Sequence, residues 1–144
     1  MENVIGAIEA PAPSPGGPTV SRILAFNGIM LVTAAHNQPL LSFPSTYASV
    51  ISVASHDVRD AEVYYCNPRP PVEFGALGID VRVAWLQGEY ITATGNSFAT
   101  PHIAGLVVRM LAKHPGLNVV HVKGILRALA DNVVDGPAPA PASV

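Results

Sequence analysis

Ser97 stands in a setting that could make its hydroxyl a nucleophile. It lies two residues after Gly95, between an alternating β-prone run at 90–94 and a long apolar segment that continues to Lys113. Glycine permits a sharp turn, and the free amides and dipole at a helix start favour developing negative charge. Pro101 is tolerated only near a helix start, which indicates that this helix begins close to Ser97. The simpler interpretation is that Ser97 caps the helix, because most serines in this position do so.

Asn37 is the second residue with a possible chemical role. It follows His36 at the end of the apolar run 28–35, which is typical of a buried strand. Asparagine at a strand end is usually a turn residue. A side-chain amide directed at a developing oxyanion would instead stabilise a transition state.

The octapeptide 95–102 carries a family resemblance. It resembles the nucleophile motif Gly-Thr-Ser-Met-Ala-Thr-Pro-His of the subtilases, the subtilisin-like serine peptidases, at six of eight positions, with Asn96 and Phe98 as the departures. The run that ends at Asn37 resembles the family's strand ending in Ala-Ala-Gly-Asn. The resemblance implies that Ser97 is the nucleophile and that Asn37 donates to the oxyanion. It also implies a substrate-binding segment beside the pocket for the side chain preceding the scissile bond, made of Ala34, Ala35 and His36. His36 stands where the family has Gly, so its imidazole could narrow this pocket or demand a different backbone angle.

Three weaker matches follow in the family's order. Residues 43–54 resemble its Tyr-Pro-Ala-x-Tyr segment and the next strand, so we expect a cis Phe43–Pro44 bond. Residues 72–80 resemble the strand and turn before the nucleophile, and residues 112–129 resemble its last core helices. The resemblance covers roughly residues 20–133. It implies a subtilisin-like α/β fold, a mostly parallel sheet with flanking helices, of which this chain forms the second half.

The usual partners of a subtilase serine are not found in this sequence. The family carries an Asp in an Asp-Ser/Thr-Gly turn and a His in a His-Gly-Thr motif, in the order Asp, His, Ser. None of the five histidines precedes Gly, and no Asp precedes Ser/Thr-Gly. His102 lies about 140° around the helix from Ser97. His56 and Asp57 are neighbours on a strand and point to opposite faces.

Two functional hypotheses therefore remain open. The first is a serine endopeptidase domain that hydrolyses peptide bonds in peptide or protein substrates. Its Asp and His would come from outside this chain, for example from a missing N-terminal half-domain that acts as its partner. The second is a catalytically inactive subtilase remnant that acts as a binding or interaction module.

Composition suits part of a larger domain. The chain has 144 residues, of which 49% are hydrophobic and only 12% charged, against about 25% charged residues in an average soluble domain. We divide it into a Pro/Gly-rich segment at 1–19, a partial subtilase domain at 20–133 and a Pro/Ala-rich tail at 134–144.

Hydrophobic periodicity predicts the elements around the candidate residues. We expect helices at 20–27, 97–113 and 119–129, and strands at 30–35, 50–55, 72–74, 81–84 and 91–94. The helix at 97–113 is apolar almost all round, which is typical of a helix buried in a larger domain. Lys123 and Arg127 are interpreted as a solvated basic face.

Several classes of protein are disfavoured. The net charge of −2 argues against nucleic-acid binding. No apolar stretch reaches about 18 residues, so no membrane span is expected. The start of the chain lacks the basic and apolar regions of a signal peptide, although subtilases are often secreted. Cys66 is the single cysteine and no His-x-x-x-His pair occurs, so we expect neither a metal site nor a cofactor.

Overall fold

A computed structural model describes residues 4–7 and 17–134. Five strands form the main sheet in the order β1-β2-β3-β5-β4, and two further strands form a separate antiparallel hairpin. The strands are β1 (Val4–Ala7), β2 (Met30–Ala34), β3 (Val50–His56), β4 (Tyr64–Cys66), β5 (Phe74–Leu77), β6 (Val81–Ala84) and β7 (Tyr90–Ala93). The helices are α1 (Gly17–Phe26), α2 (Asn96–Lys113), α3 (Val119–Leu129) and α4 (Asp131–Val134), and a 3-10 turn spans Leu86–Gly88.

The main sheet is mostly parallel. Strands β1, β2, β3 and β5 run parallel, and β4 is an antiparallel edge strand paired with β5. The predicted α/β class and mostly parallel sheet are therefore confirmed. The Phe43–Pro44 bond is cis, as expected.

Some predicted elements need correction. The strand expected at 72–74 instead spans Phe74–Leu77, because its pairing with β3 begins where Phe74 meets Val53. Strands β1 and β4 were not predicted. Strand β1 falls inside the segment 1–19 that we had set apart as Pro/Gly-rich, and its parallel pairing with β2 places it in the sheet. The rest of that segment up to residue 16, and the tail from 135, lie outside the described residues.

The core lies between the sheet and α2. Strands β2 and β3 are almost continuously buried, as parallel strands covered on both faces are. Residues four apart along α2 form a stripe that packs against these strands. Ala99, Ile103 and Val107 in this stripe have no exposed surface. Val108 is half exposed, so in the described chain one face of α2 is buried and its apolar character continues onto the surface.

Lys123 does not lie on a solvated face, contrary to its sequence interpretation. Its ammonium donates to the Ala48 carbonyl at 2.8 Å and lies 2.8 Å from a carboxylate oxygen of Glu73. The other oxygen of Glu73 accepts from Arg127 at 2.9 Å. Both Lys123 and Glu73 are largely buried, so each requires the other to offset the loss of hydration. This cluster joins α3 to the start of β5.

None of the helices between residues 17 and 134 combines the length and the apolar character needed to cross a membrane.

Tyr64 allows a test of the packing between the sheet edge and α3. Its hydroxyl donates to the Leu126 carbonyl at 2.9 Å, and burial, with smaller contributions from Asp131 and Cys66, raises its pKa from 10.0 to about 12. A raised pKa means that the folded state holds this proton after the unfolded chain has lost it. Tyr64 therefore contributes stability that is fully present below pH 10 and declines as pH rises towards 12.

We expect Tyr64→Phe to lower the free energy of unfolding by about 1 kcal/mol at neutral pH, because the buried hydrogen bond is lost. The difference between the two proteins should shrink as pH rises from 10 to 12. Urea unfolding at several pH values measures both effects, and a constant difference across that range would contradict the pKa shift.

Candidate active site

The start of α2 lies at the carboxyl ends of three parallel strands. The backbone amide of Gly95 donates to the Gly78 carbonyl beyond β5 at 2.9 Å. The backbone amide of Asn96 donates to the Asn37 side-chain oxygen, beyond β2, at 2.8 Å. The Asn96 side chain accepts from Ser55 of β3. Open α/β sheets place their sites at this edge, where the strands end and the connecting turns converge.

The closest backbone approach occurs at Gly78. A Cβ there would lie 2.7 Å from the Ser55 Cβ and 3.0 Å from both the Ala99 Cβ and the Gly95 carbonyl. Any side chain would therefore push β5 away from the start of α2. At Gly95 the backbone is extended, with a φ of 165°, and a Cβ would meet neighbours at ordinary distances of 3.5 Å or more. The close approach at this junction is thus a property of Gly78.

Ser97 is the second residue of α2 and is exposed. The N-cap is Gly95, and no side chain makes a capping hydrogen bond there, so the interpretation of Ser97 as a helix cap is wrong. Across residues 4–7 and 17–134, no hydrogen bond of the Ser97 hydroxyl is found. The hydroxyl is open to whatever occupies the sheet edge.

Asn37 is exposed beside the same turn. Because its side-chain oxygen faces a backbone N–H, the identity of the two amide ends is unambiguous. The oxygen accepts from Asn96, the residue immediately before Ser97, and the amide nitrogen is left as a donor. The structure thus brings Ser97 and Asn37 to one edge of the sheet.

Asn96 is the residue that the sequence analysis passed over. It is only 8% exposed and makes four side-chain hydrogen bonds. Its oxygen accepts from the Ser55 amide and hydroxyl at 2.8 and 2.9 Å. Its nitrogen donates to the carbonyls of Ala35 and His36 at 3.0 and 2.9 Å. The sequence signal that could have indicated this role is that Asn96 stands where the family motif has Thr.

The predicted substrate-binding segment leads directly from β2 to Asn37. Ala34 is the last residue of the strand, Ala35 is buried and His36 is half-buried. The Nδ1 atom of His36 accepts from the Gln38 amide at 3.0 Å. The imidazole ring therefore contacts the loop that follows His36. Positive φ among described non-glycine residues occurs only at Asp80 and Gln87, so His36 does not need the backbone angle of a glycine.

The other candidate acid–base groups are engaged elsewhere. His56 packs edge-on against Tyr65 at 4.5 Å, and Asp57 pairs with Arg59 at 3.3 Å in solvent. His121 completes a capping box with Asn118 at the start of α3. Among the described residues, no group of three or more His, Cys, Asp or Glu side chains is arranged to hold a metal.

Two cavities open near other groups. One of about 570 Å³ lies over the buried pair of Glu73 and Lys123, and another of about 440 Å³ lies beside His56 and Tyr65. Neither is lined by Ser97 or Asn37, and Ser55, whose hydroxyl donates to Asn96, lines the second.

Comparisons with known proteins address the family to which this chain belongs. The model of the Subtilase family matches residues 8–140. Subtilisin DY of Bacillus licheniformis is 30% identical over 133 residues, which are 83% of this chain and 48% of that protein. The Thermostable alkaline protease of Halalkalibacterium halodurans is 31% identical over 90 residues, covering 61% of this chain and 25% of that protein. The solved structure of Sphericase superposes with a TM-score of 0.70 at 22% identity, covering 86% of this chain and 47% of that one.

The chain belongs to the subtilase family of subtilisin-like serine peptidases. It spans about half the length of Subtilisin DY and of Sphericase. It therefore represents part of a subtilase domain, as the sequence predicted.

Proposed function

We propose that this chain supplies the nucleophile and the oxyanion donor of a serine endopeptidase domain. The observation that carries the proposal is the hydrogen bond between the Asn37 side-chain oxygen and the backbone amide of Asn96. It holds a side-chain amide beside the residue that precedes Ser97, at the edge where three strands end.

The chemistry follows from these positions. The Ser97 hydroxyl oxygen attacks the carbonyl carbon of a peptide bond, and its proton passes to a histidine base, which returns it to the leaving amine. The carbonyl oxygen becomes an oxyanion that accepts from the Asn37 amide nitrogen. The backbone N–H of Ser97 also lies in the first turn of α2, where helix amides have no partner within the helix. That N–H and the helix dipole add to the stabilisation.

The histidine and its aspartate partner would come from polypeptide outside these 144 residues. Within the described chain no histidine is hydrogen-bonded to Ser97, and the family motifs that carry these residues are absent from the sequence. The substrate would be a peptide or protein. The segment Ala34–Ala35–His36 would border the pocket for the side chain preceding the scissile bond.

The second candidate is an inactive binding or interaction module with the subtilase scaffold. The Ser97 hydroxyl has no hydrogen-bond partner among residues 4–7 and 17–134, which favours this candidate, because a serine without a base is a weak nucleophile. The two candidates differ in what happens when the remainder of a subtilase domain is supplied.

Covalent labelling separates these candidates. We expect Ser97 in the isolated chain to resist a fluorophosphonate probe at neutral pH. The same chain should be labelled stoichiometrically once it is bound to the N-terminal half of a closely related subtilase, which carries the Asp and His motifs. Intact-mass and peptide mass spectrometry would measure both the extent and the site of labelling.

Thr94→Val and Ser97→Ala serve as paired controls, since both remove one exposed hydroxyl near the start of α2, and that of Thr94 accepts from the Asp80 amide at 3.0 Å. The Thr94 variant should still be labelled in the complex and the Ser97 variant should not. Rapid labelling of the chain alone would reveal a base within it. A complex that forms and stays unlabelled would favour the interaction module.

A further inference from the structure

The side-chain amide of Asn96 is inserted into the β-sheet at the point where two strands separate. Strands β2 and β3 pair up to Ala34 and Val53, and the Ala35 amide still donates to the Val53 carbonyl at 2.8 Å. The next bond of a parallel ladder would join the Ser55 amide to the Ala35 carbonyl. Instead, Asn96 accepts from the Ser55 amide and donates to the Ala35 carbonyl.

We propose that Asn96 is a positioning residue for the oxyanion donor: its carboxamide replaces one ladder bond and thereby fixes the peptide units that carry Asn37. This inference deepens the proposed function and rests on it for its catalytic consequence. Asn96 itself has no contact with the reacting atoms in this role.

Asn96 holds both the backbone and the side chain of the loop that carries Asn37. Its nitrogen donates to the carbonyls of Ala35 and His36, the two residues that precede Asn37. Its backbone amide donates to the Asn37 side-chain oxygen. One residue therefore fixes both the backbone that leads to Asn37 and the rotation of the Asn37 amide. With the oxygen end held, the nitrogen end must face away from Asn96.

The chemistry of the side chain makes this role specific. A carboxamide offers an acceptor oxygen and two N–H donors, and all are matched here by Ser55, Ala35 and His36. The hydroxyl of a threonine, the family residue at this position, has one donor and cannot reach across the separated strands in the same way. An aspartate keeps the acceptor and would turn a negative oxygen toward two carbonyls.

The order of the Asn37 side-chain amide is the direct readout, and it needs no catalytic activity. We would measure ¹⁵N relaxation of the Asn37 side-chain NH₂ group in the full chain and assign its signals by their loss in Asn37→Ala. The parent protein should show a rigid amide. In Asn96→Asp and Asn96→Ala the order parameter should fall below about 0.6, the range of flexible groups.

Ser52→Ala is the matched control. Ser52 is also buried on β3, and its hydroxyl donates to the Pro71 carbonyl at 2.9 Å and accepts from the Glu73 amide at 3.0 Å. This variant therefore loses two hydrogen bonds without touching the Asn37 loop. Its Asn37 amide should stay rigid. If the Asn96 variants fail to fold, Ser55→Ala removes one of the four side-chain bonds of Asn96 and should give partial loosening of Asn37.

Kinetics of the reconstituted domain give the second readout. Misplacing a catalytic group by about 1 Å can cost 10²-fold, so Asn96→Ala should lower kcat tenfold to a hundredfold with KM little changed. A rigid Asn37 amide in folded Asn96 and Ser55 variants would overturn the proposal. If Ser97→Ala cleaves as well as the parent, the proposed function fails instead, and the relaxation data still decide the positioning role.

Discussion

Ser97→Ala should abolish peptide cleavage by a domain reconstituted from this chain and the N-terminal half of a close subtilase, while the complex still forms. Removing the nucleophile leaves the oxyanion donors and binding contacts, which are worth about 10³-fold to 10⁴-fold over the uncatalysed reaction. The expected loss in kcat is about a millionfold, a magnitude that subtilisin itself supplied. Cleavage of a chromogenic peptide by purified complexes measures it.

Solubility should rise together with activity when the other half is supplied. In the described chain, β1 (Val4–Ala7) pairs with β2 on one side only, so its other edge presents unpaired backbone groups. Apolar side chains are also exposed elsewhere on the described surface, with Phe26 91% exposed and Leu41 67% exposed. Covering the strand edge removes a surface that otherwise favours aggregation.

Solubility and activity should respond differently to substitution of Ser97. Both require the interface, and only activity requires Ser97, so Ser97→Ala should remain soluble and inactive in the complex. A complex in which this variant cleaves as well as the parent would remove the nucleophile role from Ser97. If the isolated chain is a soluble monomer that does not bind the other half, the interaction module is favoured.

The start of α2 could be predicted from sequence because its signals are local. A strand-to-helix junction is defined here within a few residues. Its signals are a glycine, a short polar turn and an apolar run with an early proline. The same junction carries the family motif, so Ser97 and Asn37 could be proposed together. Strand β2 was predicted for a similar reason, since a continuous apolar run is typical of a buried parallel strand.

The remaining features depend on contacts between distant parts of the chain. Asn96 forms hydrogen bonds with Ser55, which is 41 residues away in the sequence, and with His36, which is 60 residues away. The residues next to Asn96 in the sequence therefore do not indicate its role. Lys123 looked like half of an exposed basic pair, but its partners Glu73 and Ala48 come from other elements. Strand β4 has three residues, and pairing with β5 rather than its own propensity makes it a strand.

Asn37→Ala should lower kcat of the reconstituted domain by about 10²-fold to 10³-fold, equivalent to about 3–4 kcal/mol of transition-state stabilisation, a magnitude that again comes from subtilisin. The KM for a peptide should change little, because the oxyanion exists only after attack. Truncation of Asn37 also removes the acceptor of the Asn96 amide, so the free energy of unfolding should fall by about 1 kcal/mol, which the activity comparison must take into account by using fully folded protein.

Asn37→Asp provides the matched comparison. It keeps an oxygen that can accept from the Asn96 amide, as the parent does at 2.8 Å, and exchanges only the nitrogen donor for a second oxygen. If donation to the oxyanion is the function, Asp should be at least as damaging as Ala, because it places negative charge where the oxyanion develops. Gln38→Ala, at the exposed neighbouring position, should retain kcat. An Asn37→Ala enzyme that loses affinity for substrate and keeps its kcat would show that Asn37 binds the ground state and leaves the oxyanion to other donors.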